Sequence, residues 1–171
     1  WKEPGRVKCE TRGEKVLSAE VELGYMKKGI ERIMRGRPWQ EVMFLAERVC
    51  GICSVIHNMV FIEGMEAVSD ITVPDRAAYL RVVMNELDRI QSHLLANFSY
   101  CYTIEHETLA MYLLNTRERA MDCMERIAGV RVNKAYMIPG GVRFDLRDTD
   151  RALLLADLDQ IGDAVHRYGR M

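Results

Sequence analysis

The chain has 171 residues, enough for one domain with a sizeable core, and its 49% hydrophobic and 29% charged residues mark a globular protein, not a disordered one. A net charge of −1 offers no basic surface for nucleic acid or an anionic membrane, and no apolar run approaches the roughly 18 residues that a spanning helix needs. Five cysteines, an odd number behind no recognisable signal peptide, argue against a disulfide framework and for a reducing cytoplasm.

Two β-like runs open the chain, at residues 6–11 and 15–23. Arg12-Gly13-Glu14 between them reads as a hairpin turn. From Val21 onward the alternation is that of a half-buried strand, and Gly24-Tyr25 ends it. Residues 26–35 predict a short helix, broken by Gly36 and Pro38, and residues 39–47 a second one. Cys50-Gly51-Ile52-Cys53 follows in a turn, with His57 four residues further on; residues 54–68 read as helix again.

Asp75 is the expected N-cap of a long helix. Tyr79, Leu80, Val83, Met84, Leu87, Ile90, Leu94, Leu95 and Phe98 recur at three- and four-residue steps, which predicts an amphipathic helix of about 24 residues. Another helix is expected over residues 103–128, ending at Gly129. Pro139-Gly140-Gly141 is a strong break, and Thr149 or Asp150 would cap a last helix through Tyr168. The fold class is therefore mainly α with a small N-terminal β-hairpin: residues 1–24 as hairpin, residues 25–171 as a helical domain carrying the thiol pair. The eleven methionines read first as core filler and second as subunit interface. Glu86 and His93, seven residues apart, would share one helix face as a packing pair or a proton relay, and His106 reads as an exposed or capping histidine.

Two thiols at a Cys-x-x-Cys spacing suit half of a zinc site, a thioredoxin-like redox pair, half of a larger metal site, or no function at all. A zinc site wants a second such motif, and a redox pair wants a βαβ setting; neither stands here. His57 remains as a possible third ligand.

The context of the pair resembles a known family. Glu47-Arg48-Val49-Cys50-Gly51-Ile52-Cys53-Ser54, then His57, is similar to the first cysteine motif of the NiFe-hydrogenase large subunit. Glu22-Leu23-Gly24-Tyr25-Met26-Lys27-Lys28-Gly29-Ile30-Glu31 resembles the segment after the hairpin in energy-converting membrane hydrogenases and in the homologous 49-kDa chain of complex I, the respiratory NADH dehydrogenase. Asn85-Glu86-Leu87-Asp88-Arg89-Ile90-Gln91-Ser92-His93-Leu94-Leu95 and Ile138-Pro139-Gly140-Gly141-Val142-Arg143-Phe144-Asp145 extend the likeness over nearly the whole chain.

The resemblance implies the helical-bundle core of that family, in the N-terminal part of a longer subunit that ends before a second, C-terminal cysteine motif. It implies a NiFe centre in the complete protein, with Cys50 a terminal nickel ligand and Cys53 a bridge between nickel and iron. Lys27, Arg48 and His57 would surround the cofactor, and Glu31 would stand on a proton route. Implied partners are a small iron–sulfur subunit, whose cluster takes the electrons, and membrane subunits of a complex I-like assembly at the cytoplasmic face of the membrane. Arg143 and Asp145 would hold their loop against the cluster-bearing partner. Two departures keep alternatives open. Lys27 stands where complex I chains have the histidine that touches quinone, and some relatives that reduce sulfane sulfur keep the first thiol pair without a complete second one. A sulfane-sulfur or polysulfide reductase, or a complex I-like scaffold subunit, is therefore the competing expectation.

Overall fold

The computed structural model describes residues 4–171; Trp1, Lys2 and Glu3 of the hairpin segment lie outside it. Strands β1 (Arg6–Arg12) and β2 (Lys15–Glu22) pair antiparallel, with Cys9 opposite Ala19 and a bulge at Glu10/Thr11. Gly13, at φ 60°, makes the turn. Val7, Val16, Leu17 and Val21 are all exposed, so the expected half-burial of the second strand is not met within this chain. The hairpin stands off the helical body, and its alternating apolar face lacks a surface to cover.

Short helices α1 (Ile30–Met34) and α2 (Trp39–Ala46) lead through one 3-10 turn (Glu47–Val49) to the thiol loop and α3 (Ser54–Ser69). Helix α1 begins four residues later than the spacing predicts, because Gly29 takes a left-handed φ of 70° at its start. Helix α4 (Asp75–Thr103) is 29 residues long and packs along α5 (Glu107–Ala128); α6 (Asp148–Tyr168) lies against α5. Asp75 is the first helical residue of α4, not its cap. Pro74, extended at φ −62° and ψ 145°, takes the cap position, and the Asp75 carboxylate still lies in the positive first turn. The helix outlasts the expected span because Cys101 continues its apolar stripe into a cluster with Leu94, Ala110 and Leu113. His106 then caps α5, accepting from the Leu109 amide at 3.4 Å, so that helix starts four residues later than its pattern suggests. Gly129 ends it at φ 76°, as expected.

The core is methionine-rich. Met43, Met84, Met121, Met124 and Met137 are buried with Val55, Ile62, Leu87, Ile127 and Tyr136, so the core-filler reading accounts for these five. Glu86 and His93 do not meet: Glu86 pairs with Arg89, and His93 is exposed. Seven residues along a helix are about 10 Å, too far for a side-chain contact. Asp145 pairs with Arg76 at 2.8 Å, and Arg143 lies over the Phe144 ring at 5.6 Å.

The Pro-Gly-Gly break is a tight hairpin, β3 (Met137–Ile138) with β4 (Gly141–Val142). A buried ion pair fixes it. Arg81 of α4 donates to both oxygens of Glu66 on α3, at 2.8 and 2.6 Å, and to the carbonyls of Ile138 and Gly141 at 3.0 and 2.9 Å. Glu66 accepts in turn from the Gly140 amide at 2.8 Å. The hydrogen bonds from Arg81 hold the Glu66 carboxyl below its ordinary value. A depressed carboxylate contributes stability that is present above the ordinary carboxylate range and lost as pH falls through the folded value. Removing one partner strands a buried charge. Glu66→Ala in the full-length subunit is expected to cost about 3–5 kcal/mol in urea unfolding, and to flatten the acid limb of stability against pH.

Candidate metal centre

The thiol loop lies between the 3-10 turn and α3. Cys50 is extended at φ −137° and ψ 121°, and Cys53 occupies the residue just before α3. The Cys53 amide points back at Cys50 Sγ at 3.4 Å, and the two sulfurs face each other without forming a disulfide. His57, one turn along α3, completes a cluster in which one donor atom from each of the three residues lies within 4.8 Å of the others. Two soft sulfurs and an imidazole make a donor set for a soft or borderline metal. Each thiol lines a cavity of its own. Cys53 lines a cavity of about 400 Å³ with Met59, Asn85, Asp88 and Ser92; Cys50 lines another, of about 650 Å³, with Gly24, Met26, Lys27, Lys28 and Ile52.

Burial pushes the Cys53 thiol up to about 11, helped by the Cys50 sulfur and the negative charge of Asp88. This opposes the helix N-terminus, which favours a thiolate. A cation bound between the sulfurs would reverse the balance, because binding displaces the thiol protons.

The remaining sequence-derived site residues divide. Lys27 reaches the Cys50 cavity and pairs with Glu31 at 3.5 Å. Glu31 itself is exposed; its backbone hydrogen bond and then Lys27 lower its carboxyl, and it does not line either thiol cavity. Arg48 is exposed, donates to the Phe44 carbonyl, and has its own carbonyl held by Lys28 at 3.2 Å. It stiffens the approach to the loop.

Beneath the loop lies a polar layer that the motifs did not single out. Gln91 of α4 is 1% exposed, and its amide donates to the Ile52 carbonyl, between the two cysteines, at 2.5 Å, and to Asp88 at 3.2 Å. Arg117 of α5 donates to the Gln91 oxygen at 3.1 and 3.0 Å, which fixes which end of the amide faces the loop. Asp88 pairs with buried Lys134 at 3.4 Å. Burial works against both charges, raising Asp88 and lowering Lys134, and each partner restores the other. Asp88 and Gln91 stand in the same three- and four-residue register as Met84, Leu87 and Leu94. Polar residues at core positions of an amphipathic helix were the available signal.

Comparison with known proteins finds two families along the chain. Residues 28–103 match the nickel-dependent hydrogenase family, and residues 104–171 match the 49-kDa subunit family of the respiratory-chain NADH dehydrogenase. Between them the two family matches cover residues 28–171. The alpha subunit of the membrane-bound hydrogenase of Pyrococcus furiosus is 39% identical over 153 residues, 90% of this chain and 36% of that subunit. A subunit of the F420H2 dehydrogenase of Methanosarcina mazei is 32% identical over 168 residues, 98% of this chain and 45% of that one. A chain of the membrane-bound sulfane sulfur reductase, an archaeal respiratory membrane complex, shares the fold with a TM-score of 0.88 at 24% identity, over 96% of this chain and 44% of that chain. The chain thus spans less than half the length of these relatives. Among the described residues no helix is long and apolar enough to cross a membrane.

Replacing Gln91 with leucine leaves Arg117 without its acceptor and the Ile52 carbonyl without its donor. Unsatisfied buried groups of this kind cost about 1–3 kcal/mol each. Gln91→Leu is therefore expected to lower the stability of the full-length subunit by about that amount. It is also expected to speed amide hydrogen exchange selectively at residues 51–53, read by mass spectrometry.

Proposed function

We propose that this chain is the N-terminal part of the large subunit of a membrane-anchored NiFe hydrogenase, and that Cys50 and Cys53 are one half of its metal site. The convergence of both sulfurs and His57 within 4.8 Å carries the reading, supported by the family match over residues 28–103. The donor set fits the metal: two thiolates from one loop, with the complementary ligands supplied by the rest of the subunit. A NiFe centre, when bound, supplies the site at which H2 is split or formed.

This chain's own residues hold and shape that site. Cys50 and Cys53 give up their protons to bind. Gln91 fixes the Ile52 carbonyl so that both sulfurs stay on one side of the turn. His57 orients the loop and donates toward a sulfur; losing such an outer contact typically costs 10–100-fold in metal affinity, as an order of magnitude. Lys27, on the Cys50 cavity, keeps a cation at the mouth, and Arg48 sets the electrostatics of the approach. Glu31, exposed and paired with Lys27, exchanges protons with solvent at the rim. The electrons leave through an iron–sulfur cluster of a small partner subunit. The complex as a whole is held at the cytoplasmic face of the membrane by its membrane subunits.

A second reading rests on the presence of two adjacent thiols in one loop, which suits thiol–disulfide exchange with a sulfane or polysulfide substrate. The two readings part on one experiment. In the full-length complex, Cys50→Ser and Cys53→Ser are each expected to reduce H2-dependent dye reduction to background, with nickel and iron lost together. A wild-type complex that reduces polysulfide, shows no H2 activity and loses its turnover in Cys53→Ser would establish the sulfur-reducing reading instead. Turnover that survives Cys50→Ala would leave only a scaffold role.

A further inference from the structure

One buried group takes no part in the function so far assigned. Glu47, in the 3-10 turn before the thiol loop, is fully buried, and neither carboxylate oxygen has a hydrogen-bond partner of good geometry among the described residues. An ionised carboxylate in that state is costly, so such a group holds a proton or answers to a nearby cation. Its charged surroundings come from every element packed on it. Arg48 lies on its own turn, Lys134 on the segment after α5, and Arg143 on the loop after β4; the Ala135 backbone is the nearest amide. Lys134 is 3% exposed and already paired with Asp88, and Asp88 lines the cavity that Cys53 opens into.

Glu47 therefore extends the buried Lys134–Asp88 pair into a row of alternating charge, joined to Lys134 by electrostatic reach and not by contact, between the turn before Cys50 and the cavity wall beside Cys53. Fully ionised, the row carries one surplus negative charge in the interior. With Glu47 protonated it is neutral. The outer pair thus stays matched while Glu47 is the member free to change.

We propose that Glu47 is an internal proton-exchange site, coupled through the Lys134–Asp88 pair to the charge on Cys50 and Cys53. Negative charge gained at the sulfurs is met by proton uptake at Glu47, and charge lost there by release. The step is a proton transfer alone: the carboxyl O–H bond breaks, the proton passes to water, and the carboxylate remains facing Lys134. Burial pushes the Glu47 carboxyl up to about 7, against the pull of the Ala135 amide and then of Arg48, Lys134 and Arg143, which agrees with exchange near neutrality. The inference rests on the thiol pair being the reactive centre.

Infrared difference spectroscopy on the full-length subunit in its complex, titrated with pH, tests it. The expected result is a protonated-carboxyl band that titrates near neutrality and is missing in Glu47→Gln. Lys134→Met is the second variant. Removing the cation should raise the midpoint of that band by about one pH unit or more. The midpoint should also differ between the oxidised and reduced complex. A wild-type complex with no carboxyl titrating near neutrality overturns the proposal, as does a midpoint indifferent to both Lys134→Met and redox state. Nickel content, measured on the same samples, separates the two readings. A silent Glu47 in a nickel-loaded complex defeats this inference alone. A coupled Glu47 in a nickel-free complex defeats the hydrogenase reading and leaves the coupling standing.

Discussion

The hydrogen bond from Gln91 to the Ile52 carbonyl is the contact on which the site depends. A four-residue loop with a glycine at its second position has no geometry of its own; Gly51 leaves the backbone free to turn either way. What selects one turn is an amide that is itself fixed at its other end by Arg117 and flanked by Asp88. The thiol loop is therefore positioned by α4 and α5 more than by its own sequence. This explains why two helices that contribute no member of the Cys50–Cys53–His57 cluster belong to the same structural unit as the cysteines.

The same helix carries the other constraint. Arg81 of α4 binds Glu66 and the hairpin carbonyls, and Asp88, two turns on, binds Lys134. Helix α4 thus anchors, by buried charge, the short β3–β4 hairpin and the irregular segment around Lys134. A methionine-rich core fills the space between them but does not select a geometry, because methionine adapts to many. Charge pairs that are costly when mismatched do select one, at the segment around Lys134 and at the Pro-Gly-Gly hairpin alike.

Much of this was legible in the sequence. The helix-period stripes located α3, α4, α5 and α6, and the turn residues located the N-terminal hairpin and the Pro-Gly-Gly break, though not that the break is itself a hairpin. The thiol pair and His57 stood out by spacing, and the structure brings all three together. Helix starts were misplaced where the cap came from an unexpected residue, as at Gly29, Pro74 and His106. Glu86 and His93 were paired by face alone, but two helical turns separate them. The polar layer escaped for a different reason. Lys134 lies in a segment with no periodicity to assign it a direction, and Asp88 and Gln91, though in the core register of α4, carry no sequence mark of the partners that bury them. Only the meeting of α4 with the segment after α5 shows them to be interior, and that meeting is a tertiary fact. Glu31 stands apart from both thiol cavities: its side chain faces solvent beside Lys27, which alone of the pair lines the Cys50 cavity.

The central claim is that the sulfurs of Cys50 and Cys53 bind nickel in the complete protein. X-ray absorption at the nickel edge of the full-length complex tests it most directly. The expected result is nickel in a sulfur-rich environment, with a lower sulfur count in whichever single variant, Cys50→Ala or Cys53→Ala, retains metal. Nickel whose sulfur coordination is the same with and without these two cysteines would contradict it, as would an active wild-type complex that contains no nickel.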